Sequence, residues 1–98
     1  MKETQYERDL KERLKKEFPG CVILKNDPNR IQGIPDLLVL FENFWAALET
    51  KRSKSASKRP NQEHYVNLLN GMSYSAFVNP DNEKDVFDGL RKAFGLRG

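Results

Sequence analysis

Asp36, Glu49 and Lys51 are the residues of this 98-residue chain whose types and spacing could do chemistry. Asp36 heads the apolar run "DLLVLF", while Glu49 and Lys51 close the run "FWAALETK". Side chains alternate along a strand, so Glu49 and Lys51 share one face and Thr50 takes the other. If Glu42 and Asn43 form a tight turn, Phe41 opposes Phe44 and Asp36 falls directly opposite Glu49. Cross-strand β-carbons lie about 4.5 to 5.5 Å apart. Both carboxylates then reach one cation through oxygens at about 2.0 to 2.1 Å. Without that cation the two acids repel, and one takes up a proton. With it, the Lys51 ammonium stands beside a metal where it can hold a phosphate. The acid-free tract "KRSKSASKR" begins at the same strand end and adds a cationic rim. Carboxylates, a lysine and a basic rim together suit phosphodiester chemistry. The plainer alternative makes Asp36 a turn cap and Glu49 and Lys51 an exposed edge pair, but it leaves the placement of the basic tract unexplained.

The elements that must position these residues follow from the hydrophobic pattern. Tyr6, Leu10, Leu14 and Phe18 recur every four residues between polar neighbours. That period predicts an amphipathic helix from Glu3 to Phe18, ended by Pro19 and Gly20. "CVILK" predicts a short strand, and in "NDPNRIQGIP" Pro28, Gly33 and Pro35 oppose a helix and mark a loop. "DLLVLF" and "FWAALETK" predict a hairpin, apolar on both faces apart from its charged end and covered on each side by helices. The tract 51–59 reads as a solvated loop or frayed helix start. Pro60 opens a helix whose buried stripe is read as Tyr65, Leu68 and Leu69, closed by Gly71. "YSAFV" predicts another strand. Asn79 or Asp81 then caps a last helix carrying Val86, Leu90, Ala93 and Phe94 inward and ending at Gly95. Trp45, Tyr74 and Phe77 are expected in packing roles, and His64 faces a different side of its helix from Gln62.

Composition narrows the class. Hydrophobic residues at 38% and charged residues at 32% suit one small domain over residues 1–98. No apolar stretch is long enough to cross a bilayer. The start, "MKETQYERDLKERLKKEF", has neither signal nor transit character, which predicts a cytoplasmic protein. One cysteine and one histidine exclude an internal disulfide and a zinc cluster, and Cys21 is expected as a packed thiol. A net charge of +3 is too small to define a partner by itself.

Gly33-Ile34-Pro35-Asp36, then Glu49-Thr50-Lys51, then Gln62 in "RPNQEHYVNLLNGM" follow one another as in the PD-(D/E)XK nucleases. The chain resembles that superfamily over nearly its whole length. Within it, the chain looks most like the virus-type replication-repair nuclease (VRR-NUC) domains, with a secondary likeness to archaeal Holliday junction resolvases carried by "ERDL". The resemblance implies an α/β (α+β) fold with a restriction-endonuclease-like αβββαβ core. A mixed sheet of four strands would be flanked by helices, with a C-terminal helix added.

It also implies a Mg2+-dependent endodeoxyribonuclease, with Mn2+ as a substitute, acting on branched DNA such as a Holliday junction or flap. Asp36 and Glu49 would bind the metal together with the backbone carbonyl of Thr50. Glu7 would complete the sphere, with Glu3 one turn earlier as its rival. Lys51 would hold the scissile phosphate or the attacking water, and Gln62 would orient the lysine, a water or the phosphate. Lys25, Asn26, Arg30, Arg52, Lys54, Lys58 and Arg59 would grip the DNA backbone around the site. No segment resembles a base-reading helix, which favours recognition of shape over sequence. Related stand-alone domains act in pairs, so a homodimer is expected, through the second helix or the last, with no membrane and no organic cofactor. The setting would be a bacterial or phage-infected cell, in replication or repair. The rival on the same fold is a catalytically silent DNA-binding module of a replication, repair or packaging complex. Intact Asp36, Glu49 and Lys51 count against it, since a dead site has no physical need of them.

Overall fold

The computed structural model describes residues 2–96. Along the chain run α1 (Glu3–Glu17), β1 (Val22–Lys25), β2 (Leu37–Phe41), β3 (Phe44–Thr50), α2 (Pro60–Met72), β4 (Tyr74–Val78) and α3 (Glu83–Ala93). The strands form one sheet in the order β1-β2-β3-β4. The β1–β2 and β2–β3 pairs are antiparallel, whereas β3 and β4 are parallel. Parallel neighbours need a crossover, and α2 supplies it. This is the mixed α/β architecture expected of the sequence, with α3 added after the αβββαβ core.

The α1 period places Tyr6, Leu10 and Leu14 on one stripe, and Phe18 continues it beyond the helix end. With Val86, Phe87, Leu90 and Phe94 they pack on Leu37, Val39, Phe41, Ala46 and Leu48 of the sheet. Side chains buried this fully contribute about 1.5 to 3 kcal/mol each. Phe18 and Phe94 meet edge to face at 5.2 Å between ring centroids, joining the end of α1 to that of α3.

The other face of the sheet is only half covered. Its alternating residues include Val22, Leu24, Leu38, Leu40, Trp45, Ala47 and Glu49. α2 packs over β3 and β4 and leaves β1 open, so Val22 is 52% and Leu24 46% exposed. The expectation of helices covering both faces therefore holds on one face only. The same offset corrects the stripe read for α2. Seated at a corner of the sheet, the helix buries Val66, half-buries Tyr65 and Leu69, and leaves Leu68 in solvent. Gly71 lies within the last turn instead of closing it.

The α3 cap also differs from expectation. The helix starts at Glu83 with Asn82 in the capping position. Asn79 instead accepts the amides of Asp81 and Asn82 through Oδ1, at 2.8 and 3.0 Å. Asn82 Oδ1 accepts the Asn79 amide in return at 2.8 Å, closing the turn into α3 from both sides. Residues 51–59 form a loop. No helix among the described residues is long and apolar enough to cross a membrane.

Candidate functional site

The hairpin keeps the register that puts the acids together: Phe41 pairs with Phe44 and Leu37 with Leu48, so the next step brings Asp36 opposite Glu49. A pair closing a two-residue turn is hydrogen bonded, and such pairs alternate along the ladder through Val39–Ala46 and Leu37–Leu48. The next in line would be Pro35–Thr50. Pro35 has no amide hydrogen, so the ladder stops there. Its carbonyl accepts Asn26 Nδ2 at 2.8 Å. The Thr50 carbonyl is left without a ladder donor, while the Thr50 amide donates to Asp36 Oδ1 at 3.0 Å in place of the Pro35 carbonyl, and the Thr50 hydroxyl donates to Asp36 Oδ2 at 2.6 Å.

At the first residue of α1, Glu3 brings a third carboxylate. Single oxygens of Glu3, Asp36 and Glu49 all lie within 4.8 Å of one another. Ligand oxygens around a small octahedral ion stand about 3 Å apart, and Glu3, the exposed member of the set, is the one with room to adjust. Three hard oxygen donors with no histidine or cysteine among them fit Mg2+ or Mn2+ and suit zinc poorly. Glu7 does not join this group. Its carboxylate pairs with Lys25 at 2.6 Å and with Lys11 at 3.4 Å. Burial opposes its ionisation, but the Lys25 hydrogen bond and both lysine charges hold it below the ordinary glutamate range. The structure thus brings to the cluster the acid one turn before the one singled out from "ERDL".

Burial makes the central pair costly to ionise. Desolvation raises Asp36 to about 6 against the two Thr50 hydrogen bonds. Desolvation first, then the negative charge of Asp36, raise Glu49 to about 8. A nearby divalent charge would reverse both shifts. The partner of opposite sign is Lys51, itself only 7% exposed, whose Nζ lies 4.0 Å from Glu49 Oε2. Gln62, in the first turn of α2, joins the two: its Oε1 accepts Lys51 Nζ at 2.8 Å and its Nε2 donates to Glu49 Oε2 at 3.2 Å. Gln62 Oε1 also accepts the Arg59 amide at 3.1 Å, fixing the carboxamide to the helix start.

A cleft of about 640 Å³ opens over these groups, with Asp36, Glu49 and Gln62 in its walls. Its rim is held close by Gly33, whose φ of +92° favours glycine and whose α-carbon faces Asn61 so tightly that a β-carbon would lie 2.4 Å from the Asn61 side chain. Of the cationic and polar residues expected to flank the site, Lys25, Asn26 and Arg59 line the cleft. Lys25 is already paired to Glu7, and Asn26 is engaged with Pro35. Lys58 lies over the Phe77 ring, 4.7 Å from its centroid. Arg30, Arg52 and Lys54 are exposed and outside the cleft walls. Sequence reasoning missed the Thr50 hydroxyl and the Lys25–Glu7 pair. Nothing in the spacing hinted at either.

No protein-family model matches the chain, and no curated protein sequence does. Its structure is similar to that of a VRR_NUC domain protein, with a TM-score of 0.68 over 95% of this chain and 90% of that one, at 15% sequence identity. The chain therefore has a VRR-NUC-like fold.

Proposed function

We propose that this chain is a metal-dependent endonuclease that hydrolyses DNA phosphodiester bonds, one PD-(D/E)XK-type domain over residues 1–98 with affinity to the resolvases. The observation that carries the reading is the convergence of Glu3, Asp36 and Glu49 beside a buried Lys51 tied to Gln62. The VRR-NUC-like fold supports it. Mg2+, or Mn2+ in its place, would be held by Asp36, Glu49, Glu3 and the Thr50 carbonyl, which Pro35 cannot engage for want of an amide hydrogen. A divalent ion held there supplies a bound water of lowered pKa and polarises the phosphoryl oxygens. Lys51 faces the phosphate and stabilises the charge that builds on its oxygens during attack. Gln62, which lines the cleft, holds the ammonium through its Oε1. Lys25, Arg59 and the exposed Arg30, Arg52, Lys54 and Lys58 neutralise backbone phosphates, and DNA shape at a branch or flap sets the preference. The protein works in the cytoplasm as a homodimer, and the exposed apolar face of β1 and β2 favours pairing there over the second or last helix expected from the sequence.

The test is cleavage of labelled four-way junction, flap, nicked duplex and single strand with and without Mg2+. Lys51→Ala is expected to lower the rate by about 10² to 10³-fold. Asp36→Asn should abolish cleavage, and Glu3→Gln should lose more than Glu7→Gln. Wild-type protein that binds DNA but cuts no faster than Asp36→Asn would leave the silent binding module as the better account.

A further inference from the structure

Thr50 makes a contact that the metal-binding reading does not require. Its side chain is on the strand face opposite Glu49 and Lys51 and is fully buried, yet its hydroxyl reaches Asp36 Oδ2 at 2.6 Å while its own amide reaches Oδ1 at 3.0 Å. One residue thus grips both oxygens of one carboxylate. An ionised carboxylate has about four lone-pair sites, so each oxygen keeps one free after these bonds form. Two donors on opposite oxygens fix the plane of the carboxylate as well as its position, which a single bond would leave free to swing. The grip sits where the ladder ends: Pro35 cannot donate to the Thr50 carbonyl, and the Thr50 amide, whose ladder acceptor would be the Pro35 carbonyl, bonds Asp36 instead. Asn26 Nδ2 holds the Pro35 carbonyl at 2.8 Å, the acceptor that the Thr50 amide would otherwise face, and so weakens its competition with Asp36.

We infer that the Thr50 hydroxyl is a positioning group that presents Asp36 to a divalent ion in one orientation, with Asn26 securing the amide half of the same clamp. This rests on the metal-binding reading above and adds to it a role for a side chain that touches neither ion nor phosphate. Groups that orient a metal ligand typically matter by about 10- to 100-fold in affinity.

The experiment measures Mn2+ binding by calorimetry, and the melting temperature of metal-free protein, for wild type, Thr50→Val and Thr50→Ser. Valine keeps the shape and removes the donor; serine keeps the donor. The expected result is a loss of about tenfold or more in Mn2+ affinity for valine, with serine within about threefold of wild type. Equal Mn2+ affinity in wild type and a folded valine variant overturns the inference and leaves the metal site standing. Absence of Mn2+ binding by wild type overturns the metal reading, and the inference with it. If the valine variant does not fold, serine decides: affinity near that of wild type supports the clamp, and a tenfold loss in folded serine protein overturns it.

Discussion

Glu49 is 5% exposed, with Gln62 and Lys51 as its polar neighbours. Burial, then repulsion by Asp36, lift its carboxyl from an ordinary 4.5 to about 8. A carboxyl that titrates higher in the folded than in the unfolded chain keeps its proton in the folded state, so stability falls as pH rises through that window. Asp36, lifted by burial to about 6, acts in the same sense. Glu7 and Glu83 act in the opposite sense, because their ion pairs outweigh burial, but their effect lies below the ordinary carboxylate range. Metal-free protein is therefore expected to melt at a lower temperature at about pH 8.5 than at about pH 5. Mg2+ should raise the melting temperature more at the higher pH, where both acids are ionised; at a hundred times its dissociation constant the ligand adds about 2.7 kcal/mol. Thermal scans in chelator and in Mg2+ check this. A metal-free melting temperature that climbs across the window would contradict the assignment of the buried pair. The residue types of this pair were readable because Asp, Glu-x-Lys and the following basic tract and glutamine occur as an ordered set, although each motif alone is common. Which helix acid joins them was not, since Glu3 and Glu7 are one turn apart and share a face.

At the scale of elements, the β2–β3 hairpin does the positioning. Its two-residue turn puts Glu42 at φ +54°, a conformation that an L side chain adopts at a cost. Glu42→Gly should relieve that cost and stabilise the fold by about 1 kcal/mol, leaving the Phe41–Phe44 register intact. Chemical denaturation measures it, and an unchanged or lower midpoint would mean that the turn is unstrained. The register was legible from the sequence because a tight turn and period-2 alternation together leave one pairing. α1 was legible because four large residues at helical spacing face a full core. α2 was misread because hydrophobic spacing tells which face of a helix is apolar, not how much sheet lies beneath it. Leu68 is on that face and still 44% exposed.

The whole molecule measures 32 × 29 × 21 Å, so one copy spans about nine base pairs at about 3.4 Å each. On the proposed function, that is little of a branched junction, and a pair of copies would present two cleavage sites to two strands. The open face of β1 and β2, with Val22 and Leu24 exposed, carries no charged strand residue, since Lys25 pairs with Leu37 on the other face, and a two-fold axis can set such a face against itself without repulsion. β1 is also an edge strand lacking proline. Wild type is expected to sediment at the mass of a dimer and Leu24→Glu at that of a monomer. Analytical ultracentrifugation across a concentration series decides, and a wild type that stays monomeric throughout removes the pairing face.

The chain by itself determined the order of elements, the hairpin register and the meeting of Asp36 with Glu49 beside Lys51, because those depend on backbone alternation and turn length, which are local. Tertiary structure decided the rest. It placed Glu3 instead of Glu7 at the cluster, set Lys25 against Glu7, and left half a sheet face open. It also joined both oxygens of Asp36 to Thr50 where the ladder ends at Pro35, whose carbonyl is held by an asparagine nine residues earlier. Such choices depend on the angle and offset at which packed elements meet, and those emerge only when all the side chains compete for the same core.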